Sequence, residues 1–178
     1  MHLNPYGQDA VRLAVELAND RPASVADLVR RCVAAGLVVD LPVDERDLEA
    51  TGRLLDQWCR IVDTPDERER AGLVNVLLAA ASAYPRLTDH GGAGWHLHYR
   101  DDGVPLATVL RALVSVGTAL HLAGRGMGRL GRCALVDCAT IYADTSRGGR
   151  QRYCSPACAN RDAVRRHRAL RAGQVTSR

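Results

Sequence analysis

The sequence predicts a mainly α protein in two parts: an N-terminal helical domain with a small β insertion, then a small treble-clef-like module of β-hairpin plus helix. Three observations predict it. Apolar residues recur at helical spacing, with caps, through the first 124 residues. Cysteines cluster late in the chain. Charge divides between the parts: Met1 to Gly124 holds 12 arginines and 17 acids, net −5, whereas Arg125 to Arg178 holds 12 arginines and 3 acids, net +9. The overall +4 therefore hides a basic tail on an acidic body, an asymmetry that points the C-terminal part toward an anionic partner. There is no lysine, and arginine is the better residue for bidentate phosphate contacts. A GC-rich genome produces the same substitution, so the clustering of the arginines carries more weight than their identity.

The first helix is expected from about Gln8 to Ala18, with Val11, Ala14, Val15 and Ala18 on one face. A second starts at Ser24 with Asp27 three residues on, and ends near Gly36. The third runs from about Asp44 to Val62 with Leu48, Leu54, Leu55, Trp58 and Ile61 as its apolar stripe. Thr64-Pro65-Asp66-Glu67 reads as a cap with proline in the first helical position, and Leu73, Val76, Leu77 and Ala80 give the fourth helix a buried face. Trp95 to Tyr99 alternates like a strand and Asp101-Asp102-Gly103 turns the chain. Residues from about Pro105 to Leu122 form a helix apolar on all sides, hence central to the core. The predicted parts are residues 1–124, a glycine-rich linker over 125–131, the module over 132–171 and a flexible tail over 172–178.

The module rests on Cys133, Cys138, Cys154 and Cys158, a C-x4-C…C-x3-C pattern. Two close thiol pairs separated by a short excursion suit tetrahedral zinc. Thr140 to Ala143 and Arg150 to Tyr153 are β-prone runs joined by turn chemistry at 144–149, which predicts a hairpin between them. Ser155 caps a helix that Pro156 opens, so Cys154 and Cys158 lie one turn apart. Two disulfides are the competing account. The opening residues show no hydrophobic export signal, which makes a cytoplasmic site and a metal the expected reading. One structural zinc is expected, and losing a ligand is expected to unfold the tail while residues 1–124 stay helical. Cys32 and Cys59 read as small buried hydrophobes.

These residues resemble the CGNR zinc-finger family, whose Cys-Gly-Asn-Arg signature stands here as Cys158-Ala159-Asn160-Arg161. Tyr142-Ala143-Asp144-Thr145-Ser146 is similar to its aromatic-x-Asp-x-Ser stretch, and Arg152-Tyr153-Cys154-Ser155 to its Arg-Trp-Cys-Ser. The N-terminal part resembles the alanine-rich ABATE domain that precedes this finger in bacterial stress-induced transcription regulators. Three positions depart from the family: Ala159 for glycine, Tyr142 for phenylalanine and Tyr153 for tryptophan; an early Asn-Thr pair appears as Asn19-Asp20. The resemblance implies zinc-dependent DNA binding and transcriptional control.

The residues themselves support DNA through the last helix. Arg161, Arg165 and Arg168 share a face, Arg166 and Arg171 widen it, and acids are depleted there. Asn160 either reaches a base edge or holds the knuckle backbone. A solvated charged face is the alternative to a DNA-binding row, and a zinc-stabilised adaptor for a protein partner or RNA is the alternative function. An enzyme is not expected: four thiolates leave zinc no open position, and no nucleophile or phosphate-loop motif is present. His96 and His98 share a strand face but lack a third ligand nearby, so a solvated strand is expected. A small-molecule effector at the N-terminal domain and a homodimer fit a regulator; Asn19, Arg21 and Trp95 are candidate effector contacts that no spacing ties together. No membrane segment is expected.

Overall fold

The computed structural model describes residues 7–81, 83–89 and 95–175. Residues 1–6 of the expected first domain and 176–178 of the expected tail lie outside them. The most apolar stretch becomes the central helix, α5 (Leu106–Arg125), and the other helices of the first domain are arranged around it. Its length and hydropathy would suit a membrane span, yet 56% of that window is buried inside the protein. It is covered by α1 (Gln8–Asn19), α3 (Glu45–Asp63) and α4 (Glu67–Ala81), with α2 (Val25–Ala34) against α3.

Local chemistry sets the ends of these helices. Ser24 caps α2 by accepting from the Asp27 N–H, and α2 closes in a Schellman motif: Leu37 N–H reaches Cys32 O, Gly36 N–H reaches Val33 O, and Gly36 takes φ 80°. A capping box joins Asp44 and Asp47 at the start of α3. Buried Asp47 also accepts from Ala107 N–H at 2.8 Å, which caps α5, whose own N-cap is Pro105 and has no side-chain acceptor. The fourth helix starts two residues later than expected. Thr64 ends α3 by bonding back to Arg60 O, and Asp66 caps α4 through Glu69 N–H. Its inward face is Arg70, Val74 and Leu77, while Val76 and Ala80 are exposed, because the real helix turns its apolar residues toward α5 along a different stripe.

The α1–α5 contact is close enough to require glycine. A Cβ on Gly117 would lie 2.5 Å from the Ala10 Cβ, and one on Gly7, at φ 59°, would meet the Gly117 backbone. Trp58 is fully buried nearby and donates its Nε1–H to Thr118 at 2.9 Å.

The β insertion is an antiparallel pair, β1 (Arg86–Thr88) with β2 (His96–His98), in the register Arg86↔His98, Leu87↔Leu97, Thr88↔His96. The outward face carries Leu87 and Leu97. His96 and His98 lie on the other, half-buried face, so the expected solvated placement is corrected: strand alternation put leucine, not histidine, toward water.

The stretch expected as a linker is structured. Arg125 ends α5, Met127–Arg129 form a 3₁₀ turn, and β3 (Leu130–Arg132) pairs antiparallel with β4 (Ile141–Ala143). Leu130 and Ile141, each 2% exposed, belong to the same apolar core as Leu54, Trp58 and Leu110. The hairpin partner also differs from expectation. β4 pairs with β3 rather than with 150–153, since Gln151 N–H is taken by Asp144 and Arg152 O by Ala134 N–H. The last helix, α6 (Pro156–Val175), runs on through the first four residues of the expected flexible tail.

Candidate metal centre and basic helix

The four cysteines come from three pieces of structure. Cys133 follows β3, Cys138 closes the turn before β4, and Cys154 and Cys158 flank the start of α6. Ser155 caps that helix by accepting from Cys158 N–H at 3.3 Å. All four Sγ atoms lie within 4.8 Å of one another, with Cys138–Cys154 at 3.7 Å and Cys154–Cys158 at 3.6 Å. A tetrahedron of thiolates at about 2.3 Å from zinc has edges of about 3.8 Å, so the donor set fits the ion. Separations of this size are nearly twice a disulfide bond of about 2.0 Å; all six cysteines are free thiols.

The thiol electrostatics suit a bound cation. Thr140, through its side chain and backbone, holds the Cys138 thiol down to about 6, whereas burial and the neighbouring sulfurs push Cys154 up to about 12. One thiolate forms readily and further ones are resisted. A dication at the centre is what allows all four to ionise together. Cys32, by contrast, is buried in the helical core and its thiol is pushed up to about 11, mainly by desolvation.

The polar residues around the centre organise its loops. Asp144, 1% exposed, accepts from Ser146 N–H, Ser146 Oγ–H and Gln151 N–H, and lies 3.4 Å from Arg129. Burial alone would raise its pKa, but those bonds hold it below the usual carboxylate range. Asp144 and Ser146 of the aromatic-x-Asp-x-Ser stretch therefore shape the loop. Tyr153 donates to Asp162 at 2.7 Å, which keeps the Asp162 carboxyl low and ties α6 to the knuckle. Ala159 sits inside α6, where its Cβ is no obstacle, and no residue other than glycine has positive φ among those described.

The module is bolted to the helices by contacts that sequence reading did not find. The Asn19 amide accepts from Ile141 N–H at 2.7 Å and donates to Ile141 O at 2.9 Å, completing the free edge of β4 like a short strand. Arg132 makes a forked pair with Asp63 at 2.6 and 3.0 Å. Buried Arg70 donates to Thr64 O, Val62 O, Met127 O and Leu130 O, so one guanidinium satisfies carbonyls on both sides of the junction. Burial lowers its pKa. None of these partners is adjacent in sequence. Asn19 and Arg21, expected as effector contacts, are instead structural: Arg21 bonds Gly52 O and Asp56, and Trp95 is exposed.

From Ala163 onward the residues of α6 are exposed as far as Arg171. Asn160, Arg161, Val164, Arg165 and Arg168 share one exposed face of α6. The Asn160 amide is exposed and makes no side-chain hydrogen bond among the described residues. Arg166, expected to widen that face, is exposed and pairs with Asp162 at 3.0 Å. The single acid of the helix is engaged with Tyr153 and Arg166, and the exposed residues Arg161, Arg165 and Arg168 keep the helix strongly basic.

A helical domain carrying a docked four-cysteine finger, with a projecting basic helix, defines a zinc-finger protein of modular type. Residues 129–171 match the CGNR zinc finger, and residues 11–120 match the ABATE domain, described as "Putative stress-induced transcription regulator". The latter match spans more than half of the chain, which belongs to that family. A search of curated proteins found no match.

Proposed function

We propose that this protein is a DNA-binding transcription regulator of the cytoplasm in which one structural zinc holds α6 as the reading helix and the helical domain senses an effector or dimerises. The observation that carries the reading is the exposed basic face of α6: three arginines, Asn160 and Val164 on a helix whose only acid among the described residues pairs with Arg166. Such a row suits phosphate contacts from Arg161, Arg165 and Arg168, with Asn160 able to meet an adenine edge and Val164 a thymine methyl in the major groove. An α-helix is the element that groove admits. Four thiolates leave no coordination position for a reacting water, so zinc's role in this reading is folding rather than catalysis.

The test is binding of fragmented genomic DNA by the zinc-loaded protein over a salt series, beside an Arg161→Ala/Arg165→Ala variant. Saturable enrichment of particular fragments is expected, with a log–log salt slope of roughly −3 for three phosphate contacts, shallower in the variant. No enrichment at low salt, with zinc bound and the fold intact, sinks the reading and leaves the adaptor alternative.

A further inference from the structure

We propose that His96 and His98 form a second, exchangeable transition-metal site, separate from the cysteine centre and built on the β1–β2 hairpin. The two side chains leave the same face of β2, two residues apart, and their rings meet edge to face with centroids 4.9 Å apart. Their Nε2 atoms converge to 3.1 Å. Two nitrogens bound at about 2.05 Å in adjacent positions of one metal stand about 2.9 Å apart at an octahedral angle and about 3.4 Å at a tetrahedral one, and the observed separation falls between. Without a metal the same approach serves as an N–H···N hydrogen bond. With one, the two nitrogens are spaced to share a single ion.

The surroundings favour ligation through Nε2. That mode places the proton of each ring on Nδ1; the His98 Nδ1 lies 3.5 Å from the Asp102 carboxylate, an ion-pair distance rather than a formed hydrogen bond. A carboxylate behind a ligating imidazole fixes its tautomer and raises its basicity, an arrangement common around protein-bound metals. Asp102 also lies 3.7 Å from Arg86 and 3.9 Å from Arg100. The half-buried face holds both rings in place, His98 with only 12% of its side chain exposed, so little conformational freedom is left to lose on binding. Imidazole donors suit Zn²⁺, Ni²⁺ and Cu²⁺. With two protein ligands and water in the other positions, the ion exchanges readily, unlike the zinc enclosed by four thiolates.

The experiment is a calorimetric titration of the zinc-loaded, full-length protein with Ni²⁺, with metal analysis confirming that the thiolate zinc stays in place. One further equivalent of Ni²⁺ is expected, lost in a His96→Gln/His98→Gln variant. Asp102→Asn is the safeguard against a folding defect, because Asp102 is exposed on the surface. It should melt like the parent yet bind Ni²⁺ roughly 10-fold more weakly. Absence of the further equivalent in the parent protein overturns the proposal. So does a further equivalent that survives the double substitution, which would place the ion on other histidines.

Discussion

Replacing Asn19 by alanine should loosen the zinc finger from the helices although Asn19 touches neither zinc nor the basic face. Its amide supplies both hydrogen bonds to the outer edge of β4, at 2.7 and 2.9 Å from Ile141 N and O. Each such bond contributes a net of about 1 kcal/mol. Asn19 is itself exposed, so water can reach the broken edge and the total stays near the simple sum, about 2 kcal/mol. For a protein of this length that lowers the melting point by roughly 4–8 °C. Thermal denaturation of the zinc-loaded protein measures the fall, and hydrogen exchange at the Ile141 amide locates it. Asn19→Asp should lie between the two, since a carboxylate accepts from Ile141 N–H but repels Ile141 O. A melting point within 1 °C of the parent, with Ile141 still protected, would refute the assignment of Asn19 as the anchor.

Zinc removal or Cys154→Ser should destabilise the helical domain along with the finger. Leu130 and Ile141 are buried in the shared core, and partial exposure of the two costs about 3 kcal/mol, or roughly 6–12 °C in melting point. Two separate transitions, with the helical one unshifted, would restore the expectation that residues 1–124 stand alone. Gly117→Ala should cost about 1–3 kcal/mol in denaturant unfolding through the clash with Ala10, and no loss would show that α1 can move aside. His121 is fully buried between α5 and the finger, with Nε2 at 3.2 Å from Arg129 O and Nδ1 without a partner among the described residues. Desolvation lowers its pKa most and the Arg125 and Arg129 charges add to that, against the raising effect of the bond to Arg129 O and, last, of Asp144. The unfolded chain therefore binds the proton more readily, so stability is full above the ordinary histidine value of about 6.5 and declines as pH falls below it. Urea midpoints from pH 7.5 to 5.5 should fall less in His121→Gln than in the parent; equal slopes would remove His121 from the account.

Much of the protein was legible in the residues because its signals are local. A cap and its first turn span four residues, so Ser24 with Asp27 and Asp44 with Asp47 announced α2 and α3. The cysteine spacing and the Ser155-Pro156 helix start announced the metal centre in the same way. Even the Asp66 cap of α4 was within the quoted Thr64–Glu67 stretch, displaced by two residues because Thr64 was already used to end α3. Pairings across long separations were not legible. Asn19 reaches Ile141 over 122 residues and Arg132 reaches Asp63 over 69, and nothing in either local pattern names the partner.

The sequence by itself determined the helices, the four thiol ligands and the one-sided charge of the last helix, since each follows from backbone periodicity, ligand chemistry or composition. Only the tertiary structure decided that β4 pairs with β3, that the glycine-rich junction is ordered, that Arg166 pairs with Asp162 and that two histidines face each other. Those outcomes depend on which surfaces meet once the core of α1, α3, α4 and α5 has formed. The free energy that selects among such meetings is shared by residues far apart in the chain, such as Leu130, Ile141 and Trp58 in a single core.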